Sequence, residues 1–150
     1  MKPPSLRELV AAAQDIAKAE TTQGVSTKVV NDASRLYGAE FATVWPYDEY
    51  SQRFIPRELV AKGYSDAAVE EFRTKEPRPA HLSYTVLKKR IVVIPDVDQG
   101  TEDVPAAMIR ERLRSEGVKS LIGLVASAGK NDVAVLYLAY RTTNEFSLPF

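Results

Sequence analysis

One imidazole and no thiol set the limits of the chemistry open to this sequence. His81 is the single histidine, and cysteine is absent. Thiolate zinc sites, iron–sulfur clusters, disulfides, cysteine nucleophiles and thioether-linked chromophores are therefore excluded, as is a multi-histidine metal site. His81 admits two readings: an axial haem ligand, for which one imidazole suffices, or a partly exposed histidine in a Pro-rich segment. Serines are plentiful, but none sits in the strand–Gly-x-Ser-x-Gly–helix turn that exposes a hydrolase nucleophile. Gly123 and Gly129-Lys130-Asn131 imitate a phosphate loop. Five residues separate the glycines and no hydroxyl residue follows the lysine, so the pattern fails. Asp96-Val97-Asp98-Gln99-Gly100 begins like a calcium loop, yet Ala107 occupies the position where a bidentate Glu is needed. It reads instead as a solvated acidic loop in which Asp96 bonds its own backbone. These absences point away from an enzyme.

Twenty acidic side chains balance 20 basic ones over 150 residues. That balance removes the basic footprint of a nucleic-acid partner, and the length suits one domain. No apolar run approaches the ~20 residues of a membrane span. Met1-Lys2-Pro3-Pro4-Ser5 leads into an amphipathic pattern, not a signal-peptide core, so a cytoplasmic location is expected.

The elements follow from periodicity and punctuation. Ser5-Leu6-Arg7-Glu8 fits a capping box, and Leu6, Leu9, Ala13 and Ile16 give a helical stripe over residues 5–20. A second helix is predicted from Val25 to Tyr37, with Val25, Val29, Ala33 and Leu36 on one side and Gly38 ending it. Phe41 to Tyr47 reads as a strand, Asp48 to Ser51 as a turn, and Gln52 to Val60 as the return strand, in which Pro56 marks an edge or bulge. Ser65-Asp66 caps a short helix through Phe72, and Pro77 and Pro79 impose an extended segment. Another short helix starts at Ser83 and ends on Lys88-Lys89-Arg90. Ile91 to Pro95 is an apolar strand. Pro105 opens a helix through Arg114, which Gly117 stops. Val118–Ser127 and Val133–Tyr140 carry apolar residues on both faces, as central strands do, and Ala128 to Asp132 joins them as a hairpin loop. Ser147 caps the start of a helix cut off near Phe150. Hairpin-joined strands with segregated helices indicate an α+β fold around a largely antiparallel sheet.

That order, with its residues, resembles a GAF domain, the small-molecule sensory module of many signalling proteins. Leu82-Ser83-Tyr84-Thr85-Val86-Leu87, followed by Arg90-Ile91-Val92-Val93-Ile94-Pro95-Asp96-Val97, is similar to the family's short helix, strand and Asp-containing turn. Glu116 to Val125 resembles its Gly-Val/Ile-x-Ser strand, Ala134 to Tyr140 its final strand, and Glu145-Phe146-Ser147 the entry to its closing helix. The resemblance implies a PAS-related sheet with terminal helices on one face and a ligand-covering segment on the other. It departs in two places. Relatives often carry glycine near position 81, and the closing helix is nearly absent, which implies a single domain belonging to a longer multidomain regulator.

The resemblance also implies a site. Phe41, Thr43 and Trp45 alternate onto one strand face, and Tyr64, Phe72, His81, Tyr84 and Asp96 come from the covering segment. Together they are the candidate ligand-binding residues; the plainer reading of Phe41, Trp45 and Phe72 is core. Covalent bilin binding and the methionine-oxide-reducing branch need cysteines, and the cyclic-nucleotide signature is missing. A noncovalent small molecule or no ligand remains, and no cofactor is assigned. The expected partners are that ligand, an output domain in the same polypeptide, and a second subunit paired through helix 5–20, whose stripe otherwise covers the sheet. The alternative is a ligand-free dimerisation or spacer module.

Overall fold

The structure, a computed structural model, describes residues 23–75, 77 and 81–144. The predicted helix over 5–20, Pro79 of the extended segment and the closing helix after Asn144 lie outside the described residues. The chain runs α1 (Gln23–Tyr37), β1 (Phe41–Asp48), β2 (Arg53–Phe54), a 3-10 turn (Pro56–Glu58) and β3 (Val60–Lys62). There follow α2 (Asp66–Thr74), α3 (Leu82–Lys89), β4 (Ile91–Ile94), a second 3-10 turn (Ala106–Met108), α4 (Glu111–Ser115), β5 (Ser120–Ala128) and β6 (Asn131–Tyr140). One antiparallel sheet of order β2-β1-β6-β5-β4, with β3 also on β1, collects all six strands. This is the α+β arrangement expected. Among the described residues, no helix is long and apolar enough to cross a membrane.

Alternation along the strands divides the core in two. Ala42 and Val44 of β1, Leu136 and Leu138 of β6, and Ile122 and Leu124 of β5 share one face with Val30 and Ala33 of α1. Phe41 and Trp45, Val135 and Tyr137, and Leu121 face the opposite way, toward α2, α3 and the residues between β4 and β5. The buried stripe of α1 runs through Ser26, Val30 and Ala33, one position round from the predicted one, and Leu36 is 61% exposed. Lys28 and Arg35 meet Asp32 on its outer side at 3.0 and 3.3 Å. Gly38 takes a φ of 65°, the left-handed turn that a side chain disfavours.

Two predicted elements are broken. The return strand from Gln52 to Val60 is not continuous: Tyr47 lies opposite Phe54 and Val44 opposite Val60, so a three-residue step on β1 answers a six-residue step on its partner. Pro56 opens the 3-10 turn that takes up the excess, because a ring nitrogen donates nothing to a ladder. The predicted helix from Pro105 to Arg114 is split as well. Ile109 and Arg110 have extended ψ angles of 127° and 137° between the 3-10 turn and α4. Arg114 braces the break: its Nη1 donates to Ile109 O at 3.3 Å, and its Nη2 donates to Ala106 O at 2.6 Å and reaches Val97 O, outside the predicted helix, at 3.3 Å. A guanidinium thus replaces the helical bonds, and Arg110 is left free to turn inward.

Candidate functional site

The floor of the site is set by register. Thr43, Tyr137 and Gly123 form one row across β1, β6 and β5, and Phe41, Ala139 and Leu121 form the next. Small residues beside large rings leave a hollow, with Ala139 set between Phe41 and Leu121. Gly123 has a packing role: a Cβ there would meet Val86 Cγ2 at 2.8 Å and Tyr137 Cε1 at 2.9 Å. Without it, the Tyr137 ring and α3 would not both fit against β5. With it, the Tyr137 hydroxyl reaches Ser83 Oγ at 2.7 Å in a buried bond between β6 and α3. Burial pushes the Tyr137 hydroxyl far above its ordinary range, against the opposing effect of that bond, so it stays protonated.

The covering segment closes the hollow from three sides. Ser65 Oγ accepts the Ala68 N–H at 3.2 Å and starts α2, which buries Phe72 against Trp45 with ring centroids 6.1 Å apart. His81 caps α3 through Nδ1, which accepts the Ser83 N–H at 3.0 Å. Its ring lies 5.4 Å from Trp45. Burial, and secondarily the Arg110 charge, hold its pKa down to about 3. At neutral pH the imidazole is therefore uncharged, with its one proton on Nε2. The break after the second 3-10 turn sends Arg110 over the rings of Trp45 and Phe72, 5.8 and 5.9 Å from their centroids.

What remains is a cavity of about 40 Å³. Thr43, Trp45, Leu121, Tyr137 and Ala139 line it from the sheet; Tyr64, Phe72, His81 and Leu82 line it from above; Met108, Arg110 and Leu113 close the third side. Five of the eight candidate residues, Thr43, Trp45, Tyr64, Phe72 and His81, are thus brought together. The other three are placed elsewhere. Phe41 is fully buried against Tyr64, with ring centroids 4.7 Å apart. Tyr84 stacks edge-on against Phe54 at 5.0 Å. Asp96 turns its own loop, its carboxylate accepting the Asp98 N–H at 2.9 Å and its carbonyl the Gly100 N–H at 2.9 Å. No cluster of metal-ligating side chains occurs among the described residues.

Sequence reasoning missed Arg110 above all. The signal was present: Ala106, Ile109 and Leu113 repeat at helical spacing, and Arg110 falls inside that stripe, where an apolar residue belongs. Burial lowers its pKa, with the Glu71 carboxylate opposing, and Nη1 is buried with no hydrogen-bond partner. Arg110 as a whole is half-buried, but a buried donor without a partner is costly, and among the described residues Nη1 is the one buried side-chain nitrogen or oxygen left so.

No family model matches the sequence, and no curated protein matches it. Solved structures do. The GAF domain of a phosphoenolpyruvate-protein phosphotransferase from Coxiella burnetii superposes with a TM-score of 0.65 at 13% identity, over 95% of this chain and 80% of that one. Free methionine-R-sulfoxide reductase from Neisseria meningitidis, in complex with its substrate, gives 0.61 at 15% identity over 94% and 76%. A Staphylococcus aureus NreA protein mutated in its nitrate-binding site gives 0.57 at 17% over 83% and 88%. GAF domains from several further proteins share the architecture. The chain has the fold of a GAF domain.

Proposed function

We propose that this chain is a sensory domain that takes a small molecule noncovalently in the cavity beneath Phe72, His81 and Arg110 and passes the bound state to an output module in the same polypeptide. The observation that carries the reading is the cavity itself. It lies between a rigid sheet and three separately anchored pieces of covering segment, all of which line it. A ligand there touches α2, α3 and the Met108–Leu113 stretch at once, so it favours whichever packing of those pieces it fits best. A domain of a sensor histidine kinase from Sinorhizobium meliloti is among the proteins of similar fold, which supports a signalling role.

Catalysis is not part of the proposal. The fold is shared with a reductase, but this chain has no cysteine. Ser83 is engaged with Tyr137, and the acceptor nitrogen of His81 is used as a helix cap. Neither Ser83 nor His81 is therefore left as a nucleophile with a free base. As for haem, a 40 Å³ cavity is far below the volume of a porphyrin.

The test compares native and denatured masses of freshly purified protein, and thermal unfolding before and after exhaustive dialysis. An added mass lost on denaturation, or a melting temperature that falls on dialysis and recovers with a small-molecule extract, supports sensing. A bare protein whose unfolding ignores both treatments overturns it and favours the ligand-free module. The same spectrum gives the oligomeric state.

A further inference from the structure

The side-chain polar groups around the cavity are hydroxyls, the Trp45 indole N–H, the Met108 thioether, one neutral imidazole and one guanidinium; among the described residues, no carboxylate lines it. Arg110 carries donors only, and its buried Nη1 has no partner. The rings of Trp45 and Phe72 beside it offer a π-face but no oxygen. The nearby acid whose charge acts on Arg110 is Glu71. That carboxylate is already engaged by Arg112 and Lys75, each at 3.6 Å. Three cations thus share one anion, and the innermost of them faces a hole.

We propose that the hole is an anion site and that its ligand is a small planar oxyanion, the size of nitrate or acetate, docked on the guanidinium of Arg110. This rests on the reading that the cavity binds a ligand at all, and it supplies the ligand's chemistry. Size gives the first limit: about 40 Å³ admits roughly three water-sized groups. A nucleotide or sugar is excluded unless the wall opens. Charge gives the second. The guanidinium donates and never accepts, and the hydroxyls beside it can turn to donate as well, so the lining suits a ligand that accepts; an anion also neutralises a cation that burial penalises. Geometry gives the third. Two oxygens on a trigonal centre match the fork of a guanidinium, and a flat anion fits between rings. The neutral His81 adds an N–H without adding a charge.

The experiment uses Trp45, the single tryptophan, as a reporter in the cavity wall. The whole chain is titrated with sodium nitrate and sodium acetate against sodium chloride at matched ionic strength, and with acetamide, the neutral isostere of acetate. Thermal unfolding and Trp45 emission are read together. The expected result is a saturable rise in melting temperature with nitrate or acetate beyond that in chloride, and none with acetamide. Arg110→Met should weaken it roughly ten- to hundredfold, the loss expected for a charge-assisted bond. Arg110→Lys, which keeps the charge without the fork, should fall between and serves if Arg110→Met does not fold. A response as large with acetamide as with acetate overturns the anion assignment while leaving a sensory cavity. An anion effect undiminished in Arg110→Met, or in Arg110→Lys where Met does not fold, also overturns it, by putting the anion elsewhere. No response to either anion overturns it too. The mass and dialysis measurements then decide separately whether the sensory reading survives.

Discussion

The two faces of the sheet are built from different materials. Beneath α1 the core is aliphatic and small: Val30, Ala33, Ala42, Val44, Ile122, Leu124, Ala126, Leu136 and Leu138 are all buried, and among the described residues Tyr140 is the one buried ring there. The other face holds a run of ring-to-ring contacts, from Phe41–Tyr64 to Tyr64–Phe72. Branched aliphatic chains interdigitate and leave no space. Rings that hold one another at fixed angles span a hollow without collapsing into it. One strand thus serves two purposes: the odd residues of β6 frame a cavity while the even ones fill a core.

The sharpest way to break that comparison is to cut one leucine from each face. Leu138 and Leu121 are both 1% exposed on adjacent central strands. Leu138 is packed on every side by the aliphatic core, whereas Leu121 already borders empty volume. Leu138→Ala should cost about 4–5 kcal/mol and Leu121→Ala about 2–3, since a side chain beside a void has fewer contacts to lose. Urea unfolding of the two variants measures the difference. Equal losses would mean that the cavity is filled in solution.

The framework of both faces was legible in the sequence, and the site only partly. Period-two alternation in Phe41-Ala42-Thr43-Val44-Trp45 and continuous apolar runs in β5 and β6 specify central strands whatever else the chain does. Thr43, Trp45, Tyr64, Phe72 and His81 were accessible because strand alternation and a known architecture fix which side they take. Arg110 was hidden by the assumption that a helical pattern makes a helix. Its inward turn depends on Arg114 gathering carbonyls from Val97, Ala106 and Ile109. A side chain that replaces backbone bonds has no periodicity to read. The β2–β3 break was half-visible: Pro56 announced an interruption, but its length was set by what β1 pairs with.

A smaller effect probes the polar link that crosses the ring face. Tyr137→Phe leaves Ser83 Oγ buried without its partner and should cost about 1–2 kcal/mol in a denaturant titration, as should Ser83→Ala. The double variant should cost less than the two together, because removing both partners leaves nothing orphaned. If Tyr137→Phe is neutral, Ser83 finds a substitute partner in the cavity, and the ring face is more hydrated than its walls suggest.

The smallest effect at neutral pH belongs to His81→Asn, which keeps a capping acceptor for α3 and should change stability there by less than about 1 kcal/mol. Its signature lies in acid. The folded pKa of about 3 sits below the ordinary 6.5, so between those values the unfolded chain binds a proton that the folded chain refuses. Stability from this group is complete above about pH 6.5 and is lost as pH falls toward 3, with a slope of at most about 1.4 kcal/mol per pH unit. Asp132 and Glu116, whose pKa values are lowered chiefly by bonds to Arg90 and to the Ser65 backbone, also lose stabilisation in acid. They do so alike in both proteins, so the wild-type minus His81→Asn difference isolates the imidazole. Urea midpoints from pH 3.5 to 7 should show the native protein falling faster than the variant. Parallel curves would mean that water reaches His81, and the ring face would then be hydrated at that position where the aliphatic face is dry.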